Sequence, residues 1–135
     1  MTGSRPTRAD VTAGVGAAIA AYTQALDDGR TDDVVATFCP DGECDMPGLG
    51  RHIGREALQK AYAALQPVIP QRHLVFNVLL TAWDGREARA SSDVALFLRE
   101  ESGWTVRLVG RYHDVLHNED GEHWLFHSRH AEFTA

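Results

Sequence analysis

The sequence predicts an α+β fold in which helices pack on one face of a long antiparallel sheet. Apolar residues recur at helical spacing as far as about residue 66, and alternating β-branched and aromatic residues fill the chain from about residue 72 onward. Such segregation is typical of α+β proteins, whose sheet buries one face against the helices. The strands read as about 12–14 residues, where a typical strand has about 5–6, and a sheet of long strands must twist and curl. We therefore predict a cone with a pocket between the helices and a strongly curved, mostly antiparallel sheet.

The first helix is expected to begin near Thr7. Thr7 and Asp10 have the spacing of a capping box, with aspartate in place of the usual glutamate. Apolar residues then follow one helical stripe: Val11, Val15, Ala18, Ile19, Tyr22 and Leu26. The helix should run to about residues 27–28 and stop at Gly29, a suitable C-terminal cap.

Two shorter helices and one short strand are expected next. Thr31 caps a short helix that reads DDVVATFC and ends before Pro40-Asp41-Gly42. Residues 43–46 are expected to form a short strand, and residues 47–50 a loop. A third helix should span about residues 55–66, because prolines follow it at positions 67 and 70.

Four antiparallel strands are expected to complete the chain. The first two span residues 72–83 and 86–99, and the last two form a long hairpin between Trp104 and Phe133. The hairpin connection reads NEDG, and Gly121 can take the left-handed conformation that a type I turn followed by a one-residue bulge requires. If residues 119–121 form the loop, Asn118 pairs with Glu122, and the register of the hairpin follows.

This register gives the hairpin two chemically different faces. The face toward the helices carries Tyr112, Asp114, Leu116, Trp124, Phe126 and Ser128. The outer face carries Arg111, His113, Val115, His117, His123, Leu125, His127 and Arg129. We predict that the first face lines the pocket and that the second is a solvated surface or an interface with another subunit.

Length and composition indicate one domain. The chain has 135 residues, with 44% hydrophobic and 24% charged residues, which is ordinary for a protein that buries a core without metals or disulfides. The domain is expected to span residues 1–135, with residues 1–6 as a loose tail. Twelve arginines stand against one lysine, Lys60, as is typical of a GC-rich bacterial genome.

Charge and hydropathy argue against two classes of partner. The net charge of −6 leaves no basic surplus for a phosphate backbone, so we expect no nucleic acid. No apolar run approaches the ~20 residues needed to cross a bilayer, so we expect no membrane partner. The N-terminal segment MTGSRPTRAD lacks the apolar core of a signal peptide, which predicts a cytoplasmic location.

Neither a metal nor a cofactor is expected. Cys39 and Cys44 have no second ligand pair at zinc-site spacing and read as small, semi-buried thiols. Five of the seven histidines lie between residues 113 and 130, but the predicted register separates two outer pairs by about 13 Å, too far for one tetrahedral site. The sequence contains no P-loop, dinucleotide fingerprint or Ser-His-Asp elbow.

A family resemblance rests on four separated stretches in order, which read YTQALDDGRTDDVVATFCPDGECD, HIGREAL, RHLVFN and GRYHDVLHNEDGEHW. They resemble the SnoaL-like branch of the NTF2-like superfamily over roughly residues 10–133. The pattern is similar to scytalone dehydratase and to the β subunits of ring-hydroxylating dioxygenases. The resemblance implies the NTF2-like cone. It implies no single reaction, because the superfamily includes dehydratases, isomerases, polyketide cyclases and proteins without catalysis.

The resemblance also implies an acid–base pair. Scytalone dehydratase uses an aspartate and a histidine, with tyrosines that hold a water against the substrate. Matched motif to motif, the pair falls on Asp27 and His73, whereas the tyrosine positions are occupied by Leu26 and Met46. We therefore expect general acid–base catalysis by Asp27 and His73 without the water-holding tyrosines.

The residues alone leave both roles open. Asp27 could be an exposed acid at a helix end, although the helix dipole disfavours an acid there, which favours a functional reason. His73 begins a strand on an apolar face and could be a hydrogen-bonded core residue. Within reach of a buried carboxylate, however, it would have the geometry of a general base held in one tautomer.

Six further residues are expected to contact a substrate inside the cone: Tyr22, Met46, Asn77, Tyr112, Asp114 and Trp124. Asn77 alternates onto the strand face of His73, and Tyr112 and Asp114 share the inner hairpin face. Tyr112 and Asp114 could instead only satisfy one another or line the rim. A phenol in an apolar cone can also donate a hydrogen bond to a developing oxyanion.

Two functions of different classes fit these expectations. The first is a cofactor-free acid–base enzyme, a dehydratase, isomerase or cyclase, for a small apolar cyclic or polyketide-like molecule with a ketone or hydroxyl group. The second is a non-catalytic ligand-binding or scaffolding subunit of the dioxygenase β-subunit type. Either would bind a small hydrophobic molecule, and we expect a homodimer or homotrimer.

Overall fold

A computed structural model describes residues 5–134 of the chain and contains, within that range, three helices and one six-stranded sheet. The helices are α1 (Arg8–Asp27), α2 (Thr31–Ala36) and α3 (Arg55–Ala63). The strands are β1 (Phe38–Met46), β2 (Gly50–Ile53), β3 (Gln71–Trp83), β4 (Glu87–Glu100), β5 (Gly103–His117) and β6 (Leu125–Thr134). Helices therefore precede the long strands, and the predicted α+β class is confirmed. Of the tail predicted for residues 1–6, only Arg5 and Pro6 fall within the described residues, and both are exposed coil.

Helix α1 forms as its sequence predicts. The Thr7 hydroxyl accepts a hydrogen bond from the Asp10 backbone N–H at 3.1 Å, and the Asp10 carboxylate accepts one from the Thr7 N–H at 2.8 Å, which completes the capping box. All six residues of the predicted apolar stripe are buried. The helix ends at Asp27, and Gly29 follows with a φ of 72°, a conformation that an L side chain would strain.

The predictions for α2, α3 and the segment between them were partly wrong. Helix α2 ends at Ala36, six residues long, and Phe38 already belongs to a strand that continues through Pro40-Asp41-Gly42. Phe38 is fully buried with its ring centroid 5.5 Å from that of Phe126, so burial of this ring favours strand pairing over another helical turn. Helix α3 is also shorter than predicted, ending at Ala63.

The sheet is larger than the predicted four-stranded meander. Its strand order is β2-β1-β6-β5-β4-β3. Strands β3 to β6 are antiparallel neighbours, as predicted, and β1 adds to β6 in parallel. Strand β2, predicted in part as loop, pairs antiparallel with β1. Parallel pairing of β1 with β6 joins residues 85 to 88 positions apart along the chain, which a local pattern does not reveal.

The register of the C-terminal hairpin differs from the predicted one. Strand β6 begins at Leu125, opposite His117, rather than near residue 122. Asp120 causes the longer connection, because its carboxylate accepts the backbone N–H groups of Glu122 and His123 at 2.8 and 2.7 Å and holds a local turn. A bulge between Val115 and Leu116 then shifts the pairing by one more residue.

This shift changes which side chains face inward. Arg129 pairs with Asp114 and is fully buried, whereas the prediction placed it on the outer face. Ser128 pairs with Val115 and leaves the inner face. The histidines rearrange too: His113 pairs with His130, and the ring of His117 stacks on that of His127 with centroids 4.3 Å apart.

The core lies between the helices and the concave face of the sheet. It centres on aromatic rings from every layer, namely Tyr22, Phe38, Tyr62, Tyr112 and Phe126. Cys39 and Cys44 are buried free thiols, as expected from the sequence. Within residues 5–134, no helix combines the length and the apolar character needed to cross a membrane.

Candidate active site

An apolar cavity of about 260 Å³ opens beside the end of α1, between the β1–β2 turn and the concave face of β3, β4 and β5. Its lining residues are Tyr22, Leu26, Met46, Pro47, Gly48, Leu49, Leu65, Gln71, His73, Leu96, Leu108, Tyr112 and Phe133. Only a few polar groups interrupt this wall. Concave, mostly apolar cavities with a few polar groups are the usual form of a small-molecule site.

Asp27 and His73 meet at the edge of this cavity. Oδ1 of Asp27 lies 2.6 Å from Nδ1 of His73, and Oδ2 accepts the backbone N–H of His73 at 2.7 Å. The side-chain amide of Gln71 donates to Oδ1 at 3.2 Å. The Asp27 side chain is only 5% exposed, so this acid at a helix C-terminus is stabilised by three donors from β3 and not by water.

The hydrogen-bond pattern selects one tautomer of His73. Both oxygens of Asp27 act as acceptors for Gln71 and for the His73 backbone, so Nδ1 of His73 is the donor in the ring contact. Whenever the ring is neutral, this tautomer places the lone pair on Nε2. His73 lines the cavity and Asp27 does not, which makes the histidine the group that can reach a ligand. Asp27 contacts the ring at Nδ1 and is not part of the cavity lining.

Three of the six residues predicted to contact a substrate line the cavity: Tyr22, Met46 and Tyr112. The hydroxyl of Tyr22 is already bonded to that of Tyr62 at 2.7 Å. The hydroxyl of Tyr112 forms no hydrogen bond with any residue between 5 and 134. Burial raises the pKa of Tyr22 and of Tyr62 well above the usual range and also raises the pKa of Tyr112, so all three phenols stay protonated near neutral pH.

The other three predicted contacts lie elsewhere. Asn77 is exposed and donates to Asp93 at 2.8 Å, because a register shift between Phe76 and Leu79 and its positive φ of 53° turn it away from the face of His73. Asp114 is buried outside the cavity lining, beside Arg129. Trp124 lines a separate groove between α1, α2 and the β5–β6 connection.

Arg129 is the residue near the site that the predicted register missed. Its guanidinium carbon lies 3.5 Å from the ring centroid of Tyr112, 4.3 Å from that of Tyr22 and 4.7 Å from that of Phe126. Its Nε is 3.2 Å from Oδ1 of Asp114, and both side chains are fully buried. Asp120 could have indicated the correct register from the sequence. An aspartate two residues before Glu122 favours the turn that lengthens the hairpin connection.

The candidate metal ligands do not converge. Across residues 5–134, no group of three or more histidine, cysteine, aspartate or glutamate side chains has the arrangement of a metal site. The hairpin histidines engage carboxylates separately, as where His117 Nε2 lies 3.1 Å from Glu87 and His123 Nδ1 lies 2.7 Å from Asp120.

A model of the SnoaL-like domain matches residues 7–130, nearly the whole chain. The chain belongs to the SnoaL-like domain family. The resemblance of the four sequence stretches is thereby confirmed. No curated protein matches the chain.

Solved structures resemble this SnoaL-like domain over almost its whole length. A Catenulispora acidiphila protein in complex with S-DNPA has 26% identity and a TM-score of 0.82, with 93% of this chain and 95% of that chain covered. A proposed scytalone dehydratase from Novosphingobium aromaticivorans has 23% identity and a TM-score of 0.79, with coverage of 93% and 85%. The β subunit of a proposed aromatic-ring-hydroxylating dioxygenase from the same organism has 20% identity and a TM-score of 0.79, with coverage of 93% and 90%. At these identities the two Novosphingobium structures bear on the fold alone, and they agree with the predicted NTF2-like cone.

Proposed function

We propose that this SnoaL-like domain is a cofactor-free acid–base enzyme, a dehydratase, isomerase or cyclase. Its substrate would be a small apolar cyclic or polyketide-like molecule with a ketone or hydroxyl group. One observation carries the proposal: His73 lines an apolar cavity while Asp27 holds its ring at 2.6 Å through Nδ1. This arrangement is that of a general base with an orienting acid.

The proposed chemistry uses Nε2 of His73. The lone pair takes a proton from a carbon next to the substrate carbonyl, and the C–H electron pair moves into the carbonyl to give an enolate. In an isomerase the imidazolium returns that proton to another carbon. In a dehydratase the enolate expels a β-hydroxyl group, which takes the proton from Nε2 and leaves as water. Asp27 stabilises the imidazolium in either case.

The cavity supports a small and mostly apolar substrate. A volume of about 260 Å³ admits a molecule of one or two rings. The walls carry leucine, methionine and aromatic side chains, which bind by removing apolar surface from water. Polar recognition is left to His73, Gln71 and Tyr112, which suits a molecule with one or two oxygen functions.

The scaffolding function remains the second candidate, and the outer face of the sheet favours it. Five large apolar residues on strands β3 and β5 are each more than one-third exposed: Leu74, Phe76, Trp104, Val106 and Val109. Neighbouring exposed apolar side chains of this kind are typical of association surfaces. A scaffold would use that face and would not require proton transfer at His73.

Proton transfer can be measured before the substrate is known. A panel of small cyclic ketones incubated with the protein in D₂O should include members that exchange hydrogen at the carbon next to the carbonyl, detected by NMR. His73→Gln should lower the exchange rate by about 10²- to 10⁴-fold, the usual contribution of a general base. His130→Gln, at an exposed histidine, is the matched control. Equal exchange by the wild type and His73→Gln would contradict the proposal.

A further inference from the structure

The guanidinium of Arg129 lies in the core without a hydrogen bond. Its exposed fraction is 0%, and Nε, Nη1 and Nη2 have no hydrogen-bond acceptor among residues 5–134. Oδ1 of Asp114 lies 3.2 Å from Nε, but neither of its carboxylate oxygens is placed to accept a hydrogen bond. Burying a guanidinium in this state costs folding free energy. This cost indicates a role for Arg129 other than core packing.

Arg129 touches the wall of the candidate active site from behind. Its guanidinium carbon is 3.5 Å from the Tyr112 ring centroid, closer than to any of the other aromatic rings it contacts. Tyr112 lines the cavity, while Arg129 does not. A cation over a ring face attracts the π electrons, and this attraction is strongest where water is excluded.

Tyr112 is also the tyrosine on this wall with an unused hydroxyl. The Tyr22 hydroxyl is hydrogen-bonded to that of Tyr62 at 2.7 Å. No hydrogen bond joins the Tyr112 hydroxyl to any residue between 5 and 134. Burial raises the pKa of Tyr112 and the charge of Arg129 opposes that rise, so the phenol stays protonated yet is a stronger donor than burial alone would leave it. A protonated phenol with a free O–H can donate to a substrate oxygen.

We propose that Arg129 is a positioning residue that strengthens the Tyr112 hydroxyl as hydrogen-bond donor to a negatively charged substrate oxygen in the cavity. This inference rests on the proposed function and names its substrate class: molecules whose carbonyl or phenolic oxygen becomes an enolate or phenolate. His73 and Tyr112 line the same cavity, so proton removal and stabilisation of the resulting oxyanion would come from two strands, β3 and β5. Asp114, whose Oδ1 lies 3.2 Å from Nε of Arg129, supplies the opposite charge.

The probe for this inference is 4-nitrophenol, a single-ring molecule whose phenolate absorbs visible light. Dissociation constants measured below and above its own pKa give the preference of the cavity for phenolate over phenol. The wild-type protein should prefer the phenolate. Tyr112→Phe should lower that preference by about 10- to 100-fold, since it removes a hydrogen bond to a charged oxygen.

The arginine is tested in a neutral core. Arg129→Met alone would leave Asp114 buried without its counter-charge. The substitution is therefore made together with Asp114→Asn, and this combined variant is compared with Asp114→Asn alone. The combined variant should lower the phenolate preference by roughly tenfold when Tyr112 is present. It should cause no further loss in the Tyr112→Phe background, because Arg129 acts through that ring. Arg51→Met, at an exposed arginine paired with Glu43, is the control and should leave the preference unchanged.

Three binding results would overturn the inference. In the first, the wild-type protein binds no 4-nitrophenol, and in the second it binds phenol and phenolate equally well. In the third, the neutral-core variant lowers the phenolate preference equally with and without the Tyr112 hydroxyl. A neutral-core variant that is unfolded by circular dichroism would also overturn it, because the ion pair would then serve folding. None of these outcomes tests the proposed function. That proposal is tested separately, by the effect of His73→Gln on hydrogen exchange in the cyclic ketones.

Discussion

Asp114 illustrates how burial changes a single carboxyl group. Burial raises its pKa from 3.8 to about 6, against the opposing charge of Arg129. Between about pH 4 and pH 6 the folded protein therefore retains a proton that the unfolded chain releases. The free energy of unfolding should fall as pH rises through this interval, by at most roughly 3 kcal/mol for this group.

Asp114→Asn should remove that contribution. Urea unfolding at several pH values between about 4 and 7 would give the free energy of unfolding of both proteins. Relative to the variant, the wild type should lose stability as pH rises. Other carboxyl groups titrate in both proteins, so the difference between the two curves is the relevant quantity. Parallel curves would show that Asp114 titrates normally in the folded state.

At the scale of one element, helix α1 contains two glycines in very different surroundings. A Cβ at Gly14 would lie 2.3 Å from Cδ1 of Trp124, whereas a Cβ at Gly16 would meet no atom within 4 Å. Gly14 therefore lets the helix approach the indole closely, while Gly16 only lowers helix propensity.

The two alanine variants should move stability in opposite directions. Gly16→Ala should raise the free energy of unfolding by about 0.5–1 kcal/mol through helix propensity. Gly14→Ala should lower it by about 1–3 kcal/mol, because Trp124 must shift to admit the methyl group. Thermal and urea unfolding of the two variants would measure this. A stabilising Gly14→Ala would mean that Trp124 does not pack against α1 as described.

The elements that were predictable from sequence are those with local causes. The capping box of Thr7 and Asp10 needs only four residues, and the apolar stripe of α1 repeats within one helix. The predicted hairpin register was wrong for two local reasons. The Asp120 turn lengthens the connection, and the bulge between Val115 and Leu116 shifts the pairing further. A one-residue shift of a strand exchanges its two faces, and this moved Arg129 into the core.

The residues of the candidate site also differ in how far the sequence predicted their positions. Asp27 and His73 were expected through a family resemblance, and the structure brings them within hydrogen-bond distance. Asn77 was assigned by simple alternation along β3, which the register shift after Phe76 interrupts. Arg129 had no sequence signal of its own. Its position follows from a turn nine residues earlier.

Across the assembled sheet, part of the outer face forms an apolar patch. His73, Leu96 and Leu108 are neighbours across β3, β4 and β5 and line the cavity. The adjacent row of Leu74, Ala95 and Val109 must therefore face the other way, because side chains alternate along a strand. Phe76, Trp104 and Val106 extend this exposed apolar surface. This surface supports our expectation of a homodimer or homotrimer.

A single charge on that face should disrupt the assembly. Light scattering should give the mass of two or three chains for the wild-type protein and a lower mass for Val106→Glu, because association would bury the new carboxylate. Val68→Glu is the matched control, since Val68 is 97% exposed and lies between α3 and β3 rather than on the sheet. A wild-type protein with the mass of one chain would contradict the expected assembly.

If Asp27 and His73 act as one acid–base unit, a double-mutant cycle should show strong coupling between them. The rate to measure is turnover, or hydrogen exchange, of the cyclic ketone that responds best to the wild-type protein. Asp27→Asn and His73→Gln should each lower that rate by about 10²- to 10⁴-fold, and the double mutant should be little slower than either single mutant. Single mutants that keep the wild-type rate, or losses that simply multiply in the double mutant, would show that the two residues do not act as a unit.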